Sequence, residues 1–276
     1  MALSVVPQLV EELVLVLAAY LPHNLAIPPV LIGDHKKRML TAASVLAELK
    51  KKGTEQNRKI YARHGMVSDR LYGVSMADLK VIAKTIKGQQ VVACDLYESG
   101  VMDAMYLAGM VADGAQLKVE VLNRWVKQAK GLQMISEYTM PWLAVDHPSV
   151  REIALNWMDS KEPHVAAAGW STYAGMLSVK PDSELDFGEI ESLMARVLTE
   201  IDTAPNRVKY TMNYFVIAVG GYVRPLLKQA KSVAKQLGRV KVDMGETECK
   251  VPLATGYIEK MESAGKIGKK RKTLRC

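Results

Sequence analysis

Residues 72–88, from Tyr72 to Gly88, read YGVSMADLKVIAKTIKG and carry a full helix signature. Ser75 precedes the first helical position and has Asp78 three residues on. In that arrangement a hydroxyl caps an N-terminal amide and an acid sits in the first turn. Leu79, Ile82, Ala83 and Ile86 recur at helical spacing and form one apolar stripe. Gly88 ends the run, as glycine does where a helix closes in a left-handed residue. The pattern predicts a helix over 76–87 that turns one face to a core, with Lys80, Lys84 and Lys87 along another.

The same punctuation recurs on both sides. Thr54 can cap a helix over 55–64 that ends at Gly65, and an earlier run over 36–52 ends at Gly53. Downstream, helical runs are predicted over 91–98, 101–112, 117–130, 132–145, 149–158, 164–177, 187–201, 206–219, 222–237 and 252–263, each closed by Gly, Pro or a polar cluster. No β-hairpin or β-α-β period interrupts them. Paired helices at about 40 residues or fewer per pair match HEAT-type or armadillo-type arrays. The expected fold is all-α, a right-handed α-α superhelix of helical repeats forming a C-shaped solenoid with a long concave surface.

Composition suits this. Hydrophobic residues make up 49% of 276, with fifteen Met against two Phe. Leu, Ala, Val and Met favour helices packed on helices. Three cysteines, Cys94, Cys249 and Cys276, are too few and too scattered for a disulfide framework or a zinc site, so a reducing, intracellular location is expected. The apolar stretch Leu9–Ile32 is interrupted by Glu11, Glu12, Pro22 and His23 and follows no basic residue, so it reads as neither a membrane span nor a signal peptide. Residues 1–35 are read as an apolar helix over 6–21 with a linker, residues 36–264 as the repeat domain and residues 265–276 as a basic tail.

The net charge of +8 is unevenly placed: without the six cations of the tail it is +2. Residues 204–242 hold eight Lys and Arg and no acid. Arg224, Lys228, Lys231 and Lys235 fall at i, i+4, i+7 and i+11 of the expected 222–237 helix, on one face. A lysine-rich face is ordinarily just a solvated one. Here no acid on the same helix compensates, and an anionic phosphate backbone is the simplest partner. The tail can track phosphates, act as a localisation signal, or be a solvated end. The nucleic-acid-binding set expected from charge is Lys80, Lys84, Lys87, Arg207, Lys209, Arg224, Lys228, Lys231 and Lys235. Trp170 and Tyr214 are candidate aromatic contacts, with core packing the competing role for Trp170, which follows the small run Ala166-Ala167-Ala168-Gly169.

Catalytic signals are sparse. Glu137 lies in the middle of an apolar segment and is either a general base, a stabiliser of positive charge, or a paired structural residue. The five histidines show no metal-ligand spacing, no phosphate-binding loop is present, and Cys249 beside Lys250 has no histidine partner in sequence. No metal and no cofactor is expected.

The run RHGMVSDRLYGVSMADLKVIAKTIK, Arg63 to Lys87, with its Tyr72-Gly73-Val74-Ser75 turn, resembles the opening of the DNA alkylation repair family, the HEAT-like-repeat alkylpurine DNA glycosylases. The resemblance covers most of residues 40–238. It implies a C-shaped helical stack whose positively charged concave face holds duplex DNA, and in active members a catalytic Asp, two Trp and an Arg around the lesion. Those residues do not carry over. The Asp segment should fall near Ala129–Tyr138, which reads AKGLQMISEY; the Arg near His164–Ala168, which reads HVAAA; and the second Trp near Tyr214. Glu137 is the substitute carboxylate, about one register away. The expected function is DNA binding of the alkylation-repair type by a monomer, with glycosylase activity in doubt. The alternatives are an active alkylpurine glycosylase with a rearranged site, or a protein-binding armadillo-like scaffold.

Overall fold

The computed structural model describes residues 40–66 and 69–275. The expected helix over 6–21 and its linker lie outside the described residues. Residues 40–276 form one compact unit.

Thirteen α-helices and no strands are found among the described residues. They are α1 (Ala42–Lys52), α2 (Glu55–Arg63), α3 (Met76–Thr85), α4 (Gln90–Glu98), α5 (Met102–Val111), α6 (Val119–Gln128), α7 (Met140–Asp146), α8 (Val150–Met158), α9 (Pro163–Val179), α10 (Phe187–Glu200), α11 (Asn206–Tyr222), α12 (Leu227–Leu237) and α13 (Ala254–Ser263). From α4 onward they pack as hairpins: α4 on α5, α6 on α7, α8 on α9, α10 on α11 and α12 on α13. One helix of each hairpin also touches its counterpart in the next, giving a continuous row α3–α5–α7–α9–α11–α13. This is the all-α helical-repeat superhelix that the punctuation predicts. No described helix is long and apolar enough to cross a membrane.

Local chemistry explains the element starts. Ser75 accepts a hydrogen bond from the Asp78 amide at 3.1 Å and Thr54 one from the Asn57 amide at 3.2 Å. Leu79, Ile82 and Ile86 are buried, as the stripe requires. The Tyr72–Ser75 turn is held from outside. Asp103, buried in α5, accepts the Tyr72 and Val74 amides at 2.7 Å each. Gly73 passes there at φ 78°, with the Thr54 carbonyl where a side chain would stand.

Two predicted boundaries are corrected. The run over 132–145 is not one α-helix: Ile135–Thr139 is a π turn, and the Met140 amide reaches back five residues to the Ile135 carbonyl. Pro141 supplies the reason, since it has no amide to give the Glu137 carbonyl and its ring crowds that turn. Likewise Gly220-Gly221 does not break the chain. The α11 helix continues through both to Tyr222, because a side chain at Gly220 would stand 2.5 Å from Ile258 and one at Gly221 2.6 Å from Met261. These glycines let α13 approach closely. The break comes at Val223, ahead of Pro225, and a short 3-10 turn Arg224–Leu226 precedes α12.

The core runs along the stack. Trp125, Trp170, Tyr97, Tyr173 and Phe215 are among its largest fully buried side chains, each contributing about 2–3 kcal/mol by burial. Residues 265–275 follow the body closely. The Gly268 amide bonds to the Gly221 carbonyl, and the Arg271 amide to the Ser178 carbonyl. Lys270 reaches the Leu177 carbonyl and pairs with Asp182. Arg275 donates to the carbonyls of Gly109 and Ala112 and pairs with Asp146 at 2.6 Å. This strap therefore crosses the carbonyl ends of α11, α9 and α5 in turn, where helix dipoles favour cations. Leu274 packs against both halves of the core.

Candidate nucleic-acid interface

A cleft of 780 Å³ opens between α2, the π turn, the first turn of α11 and the loop 243–250. Its walls include Tyr61, Tyr138, Tyr210, Arg207, Asp243 and Lys250. Asn206 fixes the loop to the start of α11 with two hydrogen bonds, to the carbonyl and from the amide of Asp243 (2.8 and 2.7 Å). Gly245 lies against the Arg63 carbonyl, so the loop touches the end of α2.

The π turn carries both Glu137 and Tyr138, and Tyr138 lines the cleft. Arg207 holds both oxygens of Glu137, Nε to Oε1 at 2.7 Å and Nη2 to Oε2 at 2.5 Å. The Glu137 side chain is 3% exposed and that of Arg207 22%. The guanidinium also lies 4.3 Å from the Tyr210 ring centroid, a cation–π contact. Burial pushes the Glu137 carboxyl above its ordinary pKa, while the Arg207 hydrogen bonds and charge pull it back. Burial likewise raises the phenols of Tyr138 and Tyr210.

Of the nine cations expected to bind nucleic acid, Arg207 lines the cleft, and it is already paired. Lys80, Lys84 and Lys87 are exposed along α3 and just beyond its end, Lys228 and Lys235 along α12. Lys231 meets Glu262 of α13 at 2.7 Å, so the missing counter-charge of the α12 stripe comes from the neighbouring helix. Arg224 stands outside α12 in the 3-10 turn and donates to the Ile267 carbonyl, and Lys209 donates to the Asp202 carbonyl. Trp170 is fully buried, edge-on to Phe215 at 5.2 Å, and fills space between helices. Tyr214 is 37% exposed on α11.

Residues not singled out in the sequence shape the site as much. Pro141 causes the π turn and was a readable signal. Arg271 and Leu274 reach the region through the strap, and no local pattern announces that. No group of His, Cys, Asp and Glu able to hold a metal occurs among the described residues.

Helical hairpins stacked through one helix of each, with an aromatic and arginine-bearing cleft, define a HEAT-like helical-repeat protein. The sequence profile of the family described as DNA alkylation repair enzyme matches residues 45–236, and the chain belongs to that family. An uncharacterized protein of Listeria innocua is 28% identical over 225 residues, covering 80% of this chain and 97% of its own. Another, of Listeria monocytogenes, is 28% identical over 231 residues, covering 83% and 100%. A solved structure matches with TM-score 0.77 and 31% identity over 86% of this chain and all of that one. It is described as a new family of proteins related to the HEAT-like repeat DNA glycosylases, with affinity for branched DNA structures.

Proposed function

We propose that this protein binds DNA inside the cell as a monomer, favours branched over linear duplex DNA, and does not cleave the glycosidic bond. The observation that carries the second half is the Glu137–Arg207 pair. Glu137 is the carboxylate nearest the place where the family's catalytic Asp is expected. It is buried and gripped at both oxygens. A carboxylate so placed stabilises Arg207 rather than a developing positive charge on a sugar. Affinity for branched DNA in the structural relative supports the first half. An open junction offers unpaired bases and splayed backbones to the tyrosines of the cleft. The exposed Lys80, Lys84, Lys87, Lys228 and Lys235 are available for phosphates.

The test uses fluorescence anisotropy with a four-way junction, a linear duplex and a single strand across a salt series. The junction should bind most tightly, with log affinity falling by about 0.9 per phosphate neutralised for each log unit of salt. In parallel, methylated duplex DNA is assayed for released alkylpurine. Wild type and Glu137→Gln should both stay at the protein-free level. Release by wild type that Glu137→Gln abolishes overturns the non-catalytic reading, and equal affinity for junction and linear duplex overturns the branch preference.

A further inference from the structure

A second, smaller cavity of 190 Å³ has Glu137 in its wall, as the cleft has Arg207. Tyr138 and Tyr210 line both spaces. Its floor and walls come from four places that are distant in sequence: the π turn and α7, α9, α11, and the strap. Tyr138, Trp142 and Tyr214 supply aromatic surface, Ser171 a hydroxyl, Glu137 a carboxylate and Arg271 a cation. Arg271 is exposed, and its backbone is pinned by the 2.7 Å bond to the Ser178 carbonyl.

The size selects the occupant. An apolar cavity of about 150 Å³ takes a benzene ring, so 190 Å³ matches one flat ring system. The polar groups select it further. Each Glu137 oxygen accepts one bond from Arg207 and has capacity for another. That leaves a buried acceptor with no donor of its own to offer, which suits an amino group on a ring edge. The carbonyl-flanked edge of thymine suits it less. A cation beside the opening matches a phosphate joined to that ring.

From this juxtaposition we propose that the cavity between the π turn, α9, α11 and the strap binds a single unpaired nucleobase bearing an exocyclic amino group, with Arg271 on its phosphate. The proposal deepens the branched-DNA reading, since a branch point supplies unpaired bases. The same chemistry is offered by a free nucleotide, and the experiment separates the two sources.

Wild type is titrated with each of the four deoxynucleoside monophosphates while tryptophan emission is followed, Trp142 being in the wall. The adenine, cytosine and guanine nucleotides should bind and quench, and the thymine nucleotide should bind more weakly. Tyr214→Ala and Arg271→Ala alter exposed side chains and should each weaken binding about tenfold, the loss typical of one stacked base or one charge-assisted contact. Separately, a junction carries 2-aminopurine either unpaired at the branch or paired within an arm. Quenching on protein binding should occur only at the branch and should be lost in Tyr214→Ala. Nucleotides that bind without base preference, or equally to both variants, overturn the proposal. So does junction binding that leaves the unpaired 2-aminopurine unquenched, a result under which branched-DNA binding itself still stands. If the mononucleotides bind selectively but the junction does not bind, the cavity is a free-nucleotide site and the DNA reading fails instead.

Discussion

Replacing Arg207 by alanine leaves Glu137 buried without its counter-charge. Removing one member of a buried pair costs about 3–5 kcal/mol. The lower end applies here, because the Arg207 side chain is 22% exposed and water replaces part of it. The lost contact with the Tyr210 ring adds about 0.5–1 kcal/mol. A net loss of about 3 kcal/mol at pH 7 corresponds to a fall in Tm of about 6–12 °C for a domain of this size. The pH dependence has a definite sign. Burial already holds the folded Glu137 pKa above its ordinary value, with Arg207 opposing. A carboxyl with a raised folded pKa contributes stability that is complete below the unfolded pKa and is lost as pH rises through the folded one. Without Arg207 the folded pKa rises further, so the penalty is largest at neutral pH and shrinks as the carboxyl takes up a proton. Urea unfolding of wild type and Arg207→Ala at pH 7 and at about pH 5 should therefore show a smaller difference at the lower pH. The double variant Glu137→Met/Arg207→Met removes both charges and should recover most of the loss. A single-variant loss below about 1 kcal/mol, or one of equal size at both pH values, refutes the account of this pair as buried and mutually dependent.

Two further outcomes follow from the packing. Gly220→Ala places a methyl 2.5 Å from the fully buried Ile258 and should cost about 1–3 kcal/mol by overpacking, read as a lower thermal midpoint; an unchanged midpoint would mean that α13 is free to move away. Arg275→Ala strips two donors from the carbonyls at the end of α5 and breaks the pair with Asp146. It should cost about 1–3 kcal/mol in urea unfolding, whereas a freely solvated tail would give no change.

The helices were legible because their signals are local. Ser75 and Thr54 meet amides three residues away, and the buried positions of α3 repeat every three or four. Such contacts form whatever the rest of the chain does, so one sequence reveals them. The π turn was equally local and is written in Pro141. The reading of Gly220-Gly221 as a break failed for a different reason. Glycine weakens a helix on its own, but here a neighbouring helix needs the space, and that neighbour lies beyond any local window.

By itself, then, the sequence determined an all-helical repeat, its caps and its uneven charge. The tertiary structure decided which charges are free and what the site contains. Arg207 reaches Glu137 across 70 residues and Arg275 reaches Gly109 across 166. Lys231 finds its acid on another helix, and Arg224 leaves the stripe to which its spacing assigned it. Charge spacing on one helix fixes a face. Only the stacking of hairpins fixes what that face meets, because partners so far apart in the chain are brought together by packing rather than by helical period.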